Sequence, residues 1–366
     1  MREQRVGVLG ANGFVGGHLL AYLRANGYPT RAVVRRRPAS ADQDYRIADA
    51  CDVYGLRDAL SGCDSVVHAA LGDNSVITGS VAPVYAAAEA VGVRRLIYIS
   101  SGSVHGQSPT PGTDERSPLS ERQAFSYNNA KVRAERALRR LRSRGTVEVV
   151  ILRPTIVFGP GSRWVFDFAD ALQTGTAYVV NGARGICNSI YVDNLSYGVA
   201  LALGARNVDG EAFLLGDRET VQWRDLYRPI AQAFGVEFEK IPNVSAPDRQ
   251  TATIRQRYVD PWLMSDLAIT LKRSVSKETK NTIKGLLLAA LPRRHRPAET
   301  DSFPARASSA PSVPTEIADL QRCEWRLPNE KAARLLGYAP PVPFADGCRR
   351  SVEWLLDRGA SKSRAS

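Results

Sequence analysis

The sequence lacks the features of disulfide-rich, zinc-binding and membrane-spanning proteins. Its five cysteines are scattered and never form a Cys-x-x-Cys pair, which argues against a disulfide framework and fits reduced thiols. The four histidines are far apart in sequence, without His-Glu-x-x-His spacing, so we expect no metal site. The longest apolar run of the C-terminal half, 285–291, is too short to cross a bilayer. No signal-peptide pattern follows Met1, and we expect a cytoplasmic protein.

The charge balance is strongly basic, with 49 Lys and Arg against 37 Asp and Glu, a net charge of +12. No zinc-finger or RNP-like sequence accompanies this charge, so we expect no nucleic-acid partner. Much of the excess lies within 272–296, which is interpreted as a solvated basic face or tail. An acidic small substrate and an anionic membrane surface remain alternatives.

A glycine-rich turn follows the first apolar segment, 5–9. Gly10 allows a tight turn after the strand, Gly13 allows the backbone to approach a pyrophosphate, and Gly16 allows the helix to pack closely on the sheet. The N-terminus of the following helix directs unpaired N–H groups toward phosphate. The turn therefore predicts a dinucleotide cofactor.

Tyr127 and Lys131 are four residues apart within a helix predicted from about Glu121 to Arg142, so they share one face. A nearby ammonium group favours the phenolate and is expected to lower the tyrosine pKa toward working pH, as an acid/base residue requires. Ser101 and Ser103 follow a buried apolar segment, where a hydroxyl can donate to a substrate oxygen.

Strand-like and helix-like segments alternate as far as about residue 160, which predicts an α/β fold with a Rossmann-type, doubly wound parallel sheet. We expect residues 1–162 to form the cofactor-binding domain, with 187–215 adding to it. A smaller substrate-binding lobe is predicted from 163–186, 216–296 and 320–345. The segment 297–319, rich in Pro, Ser and Ala, is predicted to be a loop or disordered linker.

Together these motifs resemble the extended short-chain dehydrogenase/reductase family, which includes nucleotide-sugar epimerases and reductases. The resemblance covers about 5–240 and 324–356, and it is specific for the superfamily but not for the substrate. It is carried by the glycine turn and by five further stretches: Val67-His68-Ala69-Ala70, 98–106, Tyr127 with Lys131, 152–161 and 190–194.

The resemblance implies a role for each matching residue. Tyr127 would be the acid/base, Lys131 would also hold the nicotinamide ribose, and Ser101 would bind the reacting carbonyl or alcohol. Substrate contacts would come from Ser103, Asn188 and Arg163. The residues implied to contact the cofactor are Gly10, Asn12, Gly13, Phe14, Val15, Gly16, Arg35, Asp49, Ala69, Lys131 and Pro154. Asp193 is expected to cap a helix, and the family implies a homodimer.

The end of the second strand departs from the pattern of NAD-preferring members. Those members carry an acidic residue there to accept the ribose 2′-hydroxyl, whereas this chain has Arg35-Arg36-Arg37. Because cations suit a 2′-phosphate, NADP(H) is favoured over NAD(H).

Three functions remain open from the sequence. The first is an enzyme acting on a nucleotide-linked sugar, by epimerisation or keto-sugar reduction with a Ser-Tyr-Lys site. The second is a hydroxysteroid-dehydrogenase-like oxidoreductase on an apolar alcohol or ketone, for which 281–291 would make a peripheral membrane contact. The third is a non-catalytic NAD(P)-binding regulator.

Overall fold

A computed structural model describes residues 4–36, 44–246 and 313–363, with side chains to 357. The predicted contributions of Arg37, of the basic stretch 272–296 and of 281–291 fall outside the described residues. Among the described helices, none is long and apolar enough to cross a membrane.

The centre of the fold is a seven-stranded parallel sheet. Its strands are β1 (Val6–Leu9), β2 (Thr30–Val34), β3 (Tyr45–Ile47), β4 (Ser65–His68), β5 (Arg95–Ile99), β6 (Glu148–Pro154) and β11 (Ala212–Leu215). They are arranged in the order β11-β6-β5-β4-β1-β2-β3, all parallel. The sequence order reverses beside β1, and a ligand site is expected at the carboxyl ends of the strands there.

Helices cover both faces of this sheet. One layer contains α2 (Val53–Leu60), α3 (Asn74–Gly79), α4 (Val81–Ala90) and α5 (Ser126–Arg142). The other contains α1 (Phe14–Ala25), α7 (Val192–Gly204) and α10 (Glu330–Leu336). Each layer encloses its own apolar core, which explains why strands such as β1 and β2 are buried along their whole length.

A smaller lobe lies beside the carboxyl ends of the strands. It consists of β7 (Ile156–Phe158), α6 (Arg163–Gln173), β8 (Val179–Val180), β9 (Ile186–Cys187), β10 (Ser189–Tyr191), β12 (Val221–Gln222), α8 (Trp223–Ala233), β13 (Asn243–Val244), α9 (Thr315–Gln321) and α11 (Phe344–Ser363). Three short strand pairs, β10-β7, β12-β9 and β13-β8, join segments of this lobe that are far apart in the sequence. Its core is aromatic, with Phe168 stacked on Tyr227 at 3.9 Å between ring centroids.

The predicted fold class is confirmed, but three local expectations differ from the structure. The helix expected from residue 121 begins at Ser126, after a Phe125 N-cap without a side-chain hydrogen bond. The expected linker 297–319 is helical from Thr315, where α9 starts. Asp193 does not cap α7, because Tyr191 is at the N-cap; Asp193 instead pairs with His18 at 3.7 Å from the first turn.

Candidate active site

A single cleft of about 1150 Å³ runs along the carboxyl ends of β1, β2, β4, β5 and β6 and into the smaller lobe. The glycine turn lies at one end, and the aromatic residues of α6 and α8 lie at the other. Every residue predicted from the sequence to contact cofactor or substrate lines this cleft, except Gly16. The topology therefore joins residues that are separated by more than a hundred positions in the sequence.

The glycine turn has the shape that a pyrophosphate requires. Gly10 has a φ of +80°, and a Cβ there would be 2.6 Å from the Ala70 backbone. A Cβ on Gly16 would overlap the Gly10 carbonyl oxygen, so Gly16 serves the packing of α1 on the turn. By contrast, a Cβ on Gly13 would meet only the Gly10 oxygen, at 3.2 Å, so its other side is open. The N-terminus of α1 and this open side fit a bound dinucleotide.

The end of β2 carries exposed cations at the rim of the same half of the cleft. Arg35 and Arg36 both line it, and Asn12 Nδ2 donates to the Arg36 carbonyl at 3.3 Å. Asp49 also lines it, but its carboxylate already accepts a hydrogen bond from the Cys51 N–H at 2.8 Å. Within the described residues, the rim of the cleft therefore presents two exposed arginines, and an aspartate whose carboxylate is already hydrogen-bonded within its own turn.

Lys131 is buried beneath the cleft, on the face of α5 that it shares with Tyr127. Its Nζ donates to the Ile99 carbonyl at 2.8 Å and lies 3.5 Å from the Tyr98 hydroxyl. The same nitrogen is 6.0 Å from the centroid of the Tyr127 ring. Burial lowers the pKa of Lys131 to about 8, although the Glu135 carboxylate acts in the opposite direction. The ammonium is therefore still the major form at neutral pH.

Ser101 joins Tyr127 from the carboxyl end of β5. Its hydroxyl accepts the Ser103 N–H at 3.1 Å and is 2.9 Å from the Ser103 hydroxyl, which fixes the start of a 3₁₀ helix, Gly102–His105. A hydrogen bond between Ser101 and the Tyr127 phenol also contributes to the tyrosine's environment. The structure thus brings together Ser101, Tyr127 and Lys131, the three residues that the sequence analysis predicted to be catalytic.

The expected direction of the Tyr127 pKa shift is wrong for the protein as described. Burial raises the pKa, the Ser101 hydrogen bond partly offsets this, and the negative charge of Glu316 raises it further. Lys131 is not among the causes, because its ammonium is directed toward the Ile99 carbonyl. The phenol is therefore protonated at neutral pH and is ready to donate a proton.

A buried ion pair under the serine turn was not predicted. Arg153 makes a two-pronged contact with Glu135, at 3.0 and 2.7 Å, and both side chains are buried. The Ser100 hydroxyl donates to the same carboxylate at 2.6 Å, and Arg153 lies 3.2 Å from His105 Nε2. Burial and the charge of Arg153 lower the pKa of His105 to about 4. The network fixes the end of β5 against α5.

The substrate half of the cleft is mostly apolar. Its apolar and aromatic lining residues are Leu71, Pro109, Ile156, Val157, Trp164, Phe168, Ala171, Ala177, Tyr178, Ile186, Tyr227, Ile317, Leu320 and Leu327. Of the three predicted substrate contacts, Ser103 lines the cleft with its hydroxyl 2.9 Å from that of Ser101. Arg163 lines the mouth but is 90% exposed and pairs with Asp167 at 3.3 Å. Asn188 lines the cleft with its amide engaged, donating to the Trp325 carbonyl at 3.0 Å and accepting from the Leu327 N–H at 2.8 Å.

Two further residues of the site were missed by sequence reasoning. Tyr98 lies under Lys131, with the ammonium 4.9 Å from its ring centroid, and Glu316 of α9 lines the cleft near Tyr127. Tyr98 belongs to a buried strand, and Glu316 belongs to a segment that was interpreted as a linker. No spacing in the sequence connects either residue to Tyr127.

The sequence comparison with known families decides the identity of this arrangement. Residues 6–216 match the family described as the NAD dependent epimerase/dehydratase family. The chain belongs to this family. It is therefore an enzyme that uses a nicotinamide cofactor, and the non-catalytic alternative is set aside.

The chain is also similar to individual dehydrogenases and reductases. The chain is 27% identical over 253 residues to a 4-hydroxy-2-methyl-3-oxo-4-farnesyl-3,4-dihydroquinoline-1-oxide ketoreductase of Stigmatella aurantiaca, covering 64% of this chain and 75% of that protein. It is 28% identical over 269 residues to a 3 beta-hydroxysteroid dehydrogenase/Delta 5-->4-isomerase of Mycobacterium tuberculosis, covering 66% and 72%.

A solved structure of a UDP-glucose 4-epimerase from Thermotoga maritima, with UDP-glucose, shares the fold. Its TM-score is 0.65 at 17% identity, and the match covers 97% of this chain and 99% of that one. At this identity the likeness concerns the fold alone.

Proposed function

We propose that this enzyme reduces a ketone, and in reverse oxidises the corresponding secondary alcohol, of a largely apolar molecule. The observation that carries the proposal is the coexistence in one cleft of the Ser101, Tyr127 and Lys131 group with an aromatic and aliphatic substrate half. An apolar lining with a few convergent polar groups is typical of sites for hydrophobic small molecules.

The proton chemistry belongs to Tyr127. Its phenol is protonated at neutral pH, because burial and the Glu316 charge raise its pKa, so it donates a proton to the carbonyl oxygen as reduction proceeds. Ser101 donates a second hydrogen bond to that oxygen and orients it. The Lys131 ammonium is anchored by the Ile99 carbonyl, 6.0 Å from the centroid of the Tyr127 ring, and its role is to hold the nicotinamide ribose beside the phenol.

A bound nicotinamide cofactor would supply the hydride. Backbone N–H groups at Gly13 and the start of α1 would hold its pyrophosphate, while Lys131 and Pro154 would border its nicotinamide end. Arg35 and Arg36 at the end of β2, where a carboxylate would select NAD(H), support a preference for NADP(H).

The cofactor preference is tested with Arg35→Asp. We expect the ratio of kcat/KM for NADPH to that for NADH to fall by about tenfold or more, because a favourable charge contact becomes a repulsive one. Arg57→Asp, an exposed charge reversal on α2 outside the cleft, is the matched control. A ratio that is equal in both variants and wild type would reject the NADP(H) preference.

The lining of the substrate half favours the apolar substrate over the nucleotide-linked sugar that was the first expectation. Among the described residues of that half, the one cation is Arg163, which is exposed and paired with Asp167. A diphosphate needs several converging cations or N–H groups. The names of the curated relatives, a ketoreductase of a farnesylated ring and a hydroxysteroid dehydrogenase, also support the apolar alternative.

The substrate class is tested by following oxidation of NADPH with two panels. One contains steroid and prenylated-ring ketones; the other contains UDP- and dTDP-linked hexoses and keto-hexoses. We expect turnover with members of the first panel and none with the second. Turnover confined to the nucleotide sugars would overturn the assignment and restore the first expectation.

A further inference from the structure

Glu316 is an exposed carboxylate on α9 that lines the same cleft as Tyr127. Gln107 Nε2, from a side chain only 9% exposed, donates to Glu316 Oε1 at 2.7 Å. Both residues line the cleft that contains Tyr127. Among the described residues no lysine, arginine or histidine forms an ion pair with Glu316. Its negative charge is therefore held in place by a neutral amide.

The helix that carries Glu316 is tied firmly to the smaller lobe. Gln321 Oε1 accepts the Val180 N–H at 2.8 Å, and the indole of Trp223 donates to the Leu320 carbonyl at 3.0 Å. Directly after α9, the Cys323 carbonyl accepts the Ile186 N–H at 2.7 Å. The position of the carboxylate over the cleft is thus set by the fold.

The other carboxylate of this half is different. Asp167 is paired with Arg163 at 3.3 Å on the exposed face of α6, so its charge is compensated. Glu316, in contrast, acts on Tyr127. Burial raises the Tyr127 pKa most, the Ser101 hydrogen bond lowers it, and the negative charge of Glu316 raises it further. The charge of Glu316 is therefore unpaired within the described part of the chain, whereas that of Asp167 is paired.

We propose that Glu316 is a specificity-determining residue that accepts a hydrogen bond from a hydroxyl or ammonium donor on the substrate and rejects substrates with an anionic group there. This inference rests on the proposed ketone reduction and specifies the substrate further. An apolar body with one donor satisfies both the aromatic wall and the carboxylate, whereas an anionic group at the same place would be repelled by the unpaired charge of Glu316.

The test uses four derivatives of one bicyclic ketone, with a hydroxyl, an ammonium, a carboxylate or hydrogen on the second ring. For wild type we expect kcat/KM for the hydroxyl and ammonium forms to exceed that of the hydrogen form by about tenfold, with the carboxylate form lowest. In Glu316→Gln the ammonium preference should be lost, while the hydroxyl preference is retained because the amide oxygen still accepts. In Glu316→Ala both preferences should be lost.

Glu324→Gln, an exposed carboxylate of the same segment outside the cleft, is the control and should keep the wild-type order. Dissociation constants of the same four ketones, measured by calorimetry, separate this inference from the proposed reaction. If the order of affinities persists without any turnover, the role of Glu316 stands and ketone reduction fails. Equal selectivity in wild type, Glu316→Gln and Glu316→Ala overturns the role of Glu316, and ketones that neither bind nor react overturn both.

Discussion

Single residues of this site show how burial reverses a simple charge argument. The four-residue spacing of Tyr127 and Lys131 suggested a phenol with a lowered pKa, yet the structure raises it because the ring is desolvated and the ammonium is directed to a backbone carbonyl. Spacing predicts which side chains share a helix face. It does not report their solvation, which depends on the β5 turn and on α9.

These charge states predict opposite pH dependences for the two directions of the reaction. Alcohol oxidation needs the phenolate, so its kcat/KM should rise with pH through and beyond neutrality, since the Tyr127 pKa is raised. Ketone reduction needs the neutral phenol and the Lys131 ammonium, so its kcat/KM should be flat near neutrality and fall above about pH 8, as Lys131 loses its proton. Both profiles are measured with NADPH or NADP⁺ at saturation. An oxidation rate that is already level below neutral pH would contradict the raised tyrosine pKa.

At the scale of elements, the glycine turn was predictable because its function is local. The positions of Gly10, Gly13 and Gly16 relative to β1 and α1 are fixed by a few residues of continuous chain. The start of α5 was not predictable in this way. Its first turn is set by two hydrogen bonds to the preceding loop, in which Asn129 accepts the Gln123 N–H at 2.9 Å and donates to the Gln123 carbonyl at 2.9 Å. The spacing of apolar residues in the sequence does not predict these hydrogen bonds.

Two neighbouring glycines of α1 provide a matched test of this turn. Gly16→Ala places a methyl group against the Gly10 carbonyl oxygen, so we expect a loss of about 1–3 kcal/mol in unfolding free energy and weaker NADPH binding. Gly17→Ala meets only ordinary contact, 3.5 Å from the Ala11 oxygen, so it should be neutral or stabilise the helix by up to about 1 kcal/mol.

Urea unfolding and fluorescence titration with NADPH measure these two effects. If Gly16→Ala and Gly17→Ala have the same stability and NADPH affinity, the claim that Gly16 is needed for the close packing of α1 on the turn is wrong.

At the scale of the whole molecule, the sequence predicted the cofactor half better than the substrate half. The sheet is built from strands that alternate regularly with helices, so its class follows from the order of segments. The smaller lobe is assembled from pieces far apart in the chain. The contact between Gln107 and Glu316 spans 209 residues, and no local pattern indicates it.

The first substrate expectation, a nucleotide-linked sugar, was drawn from the family resemblance, with the basic charge as a weaker support. Net charge is a property of the whole sequence, with much of the excess in 272–296, whereas substrate choice depends on the lining of one cleft. In the described residues that lining is aromatic and aliphatic, which the composition of the chain does not reveal.

The most direct test of the account is the turnover of an apolar ketone with NADPH by Tyr127→Phe. The phenylalanine ring keeps the packing of Tyr127 but removes the proton donor, so NADPH affinity should stay near the wild-type value while kcat falls on the order of a hundredfold or more. Tyr178→Phe, which alters another hydroxyl of the cleft lining, is the control for the loss of a phenol alone. A Tyr127→Phe enzyme that turns over like wild type would contradict the assignment of Tyr127 as the proton donor.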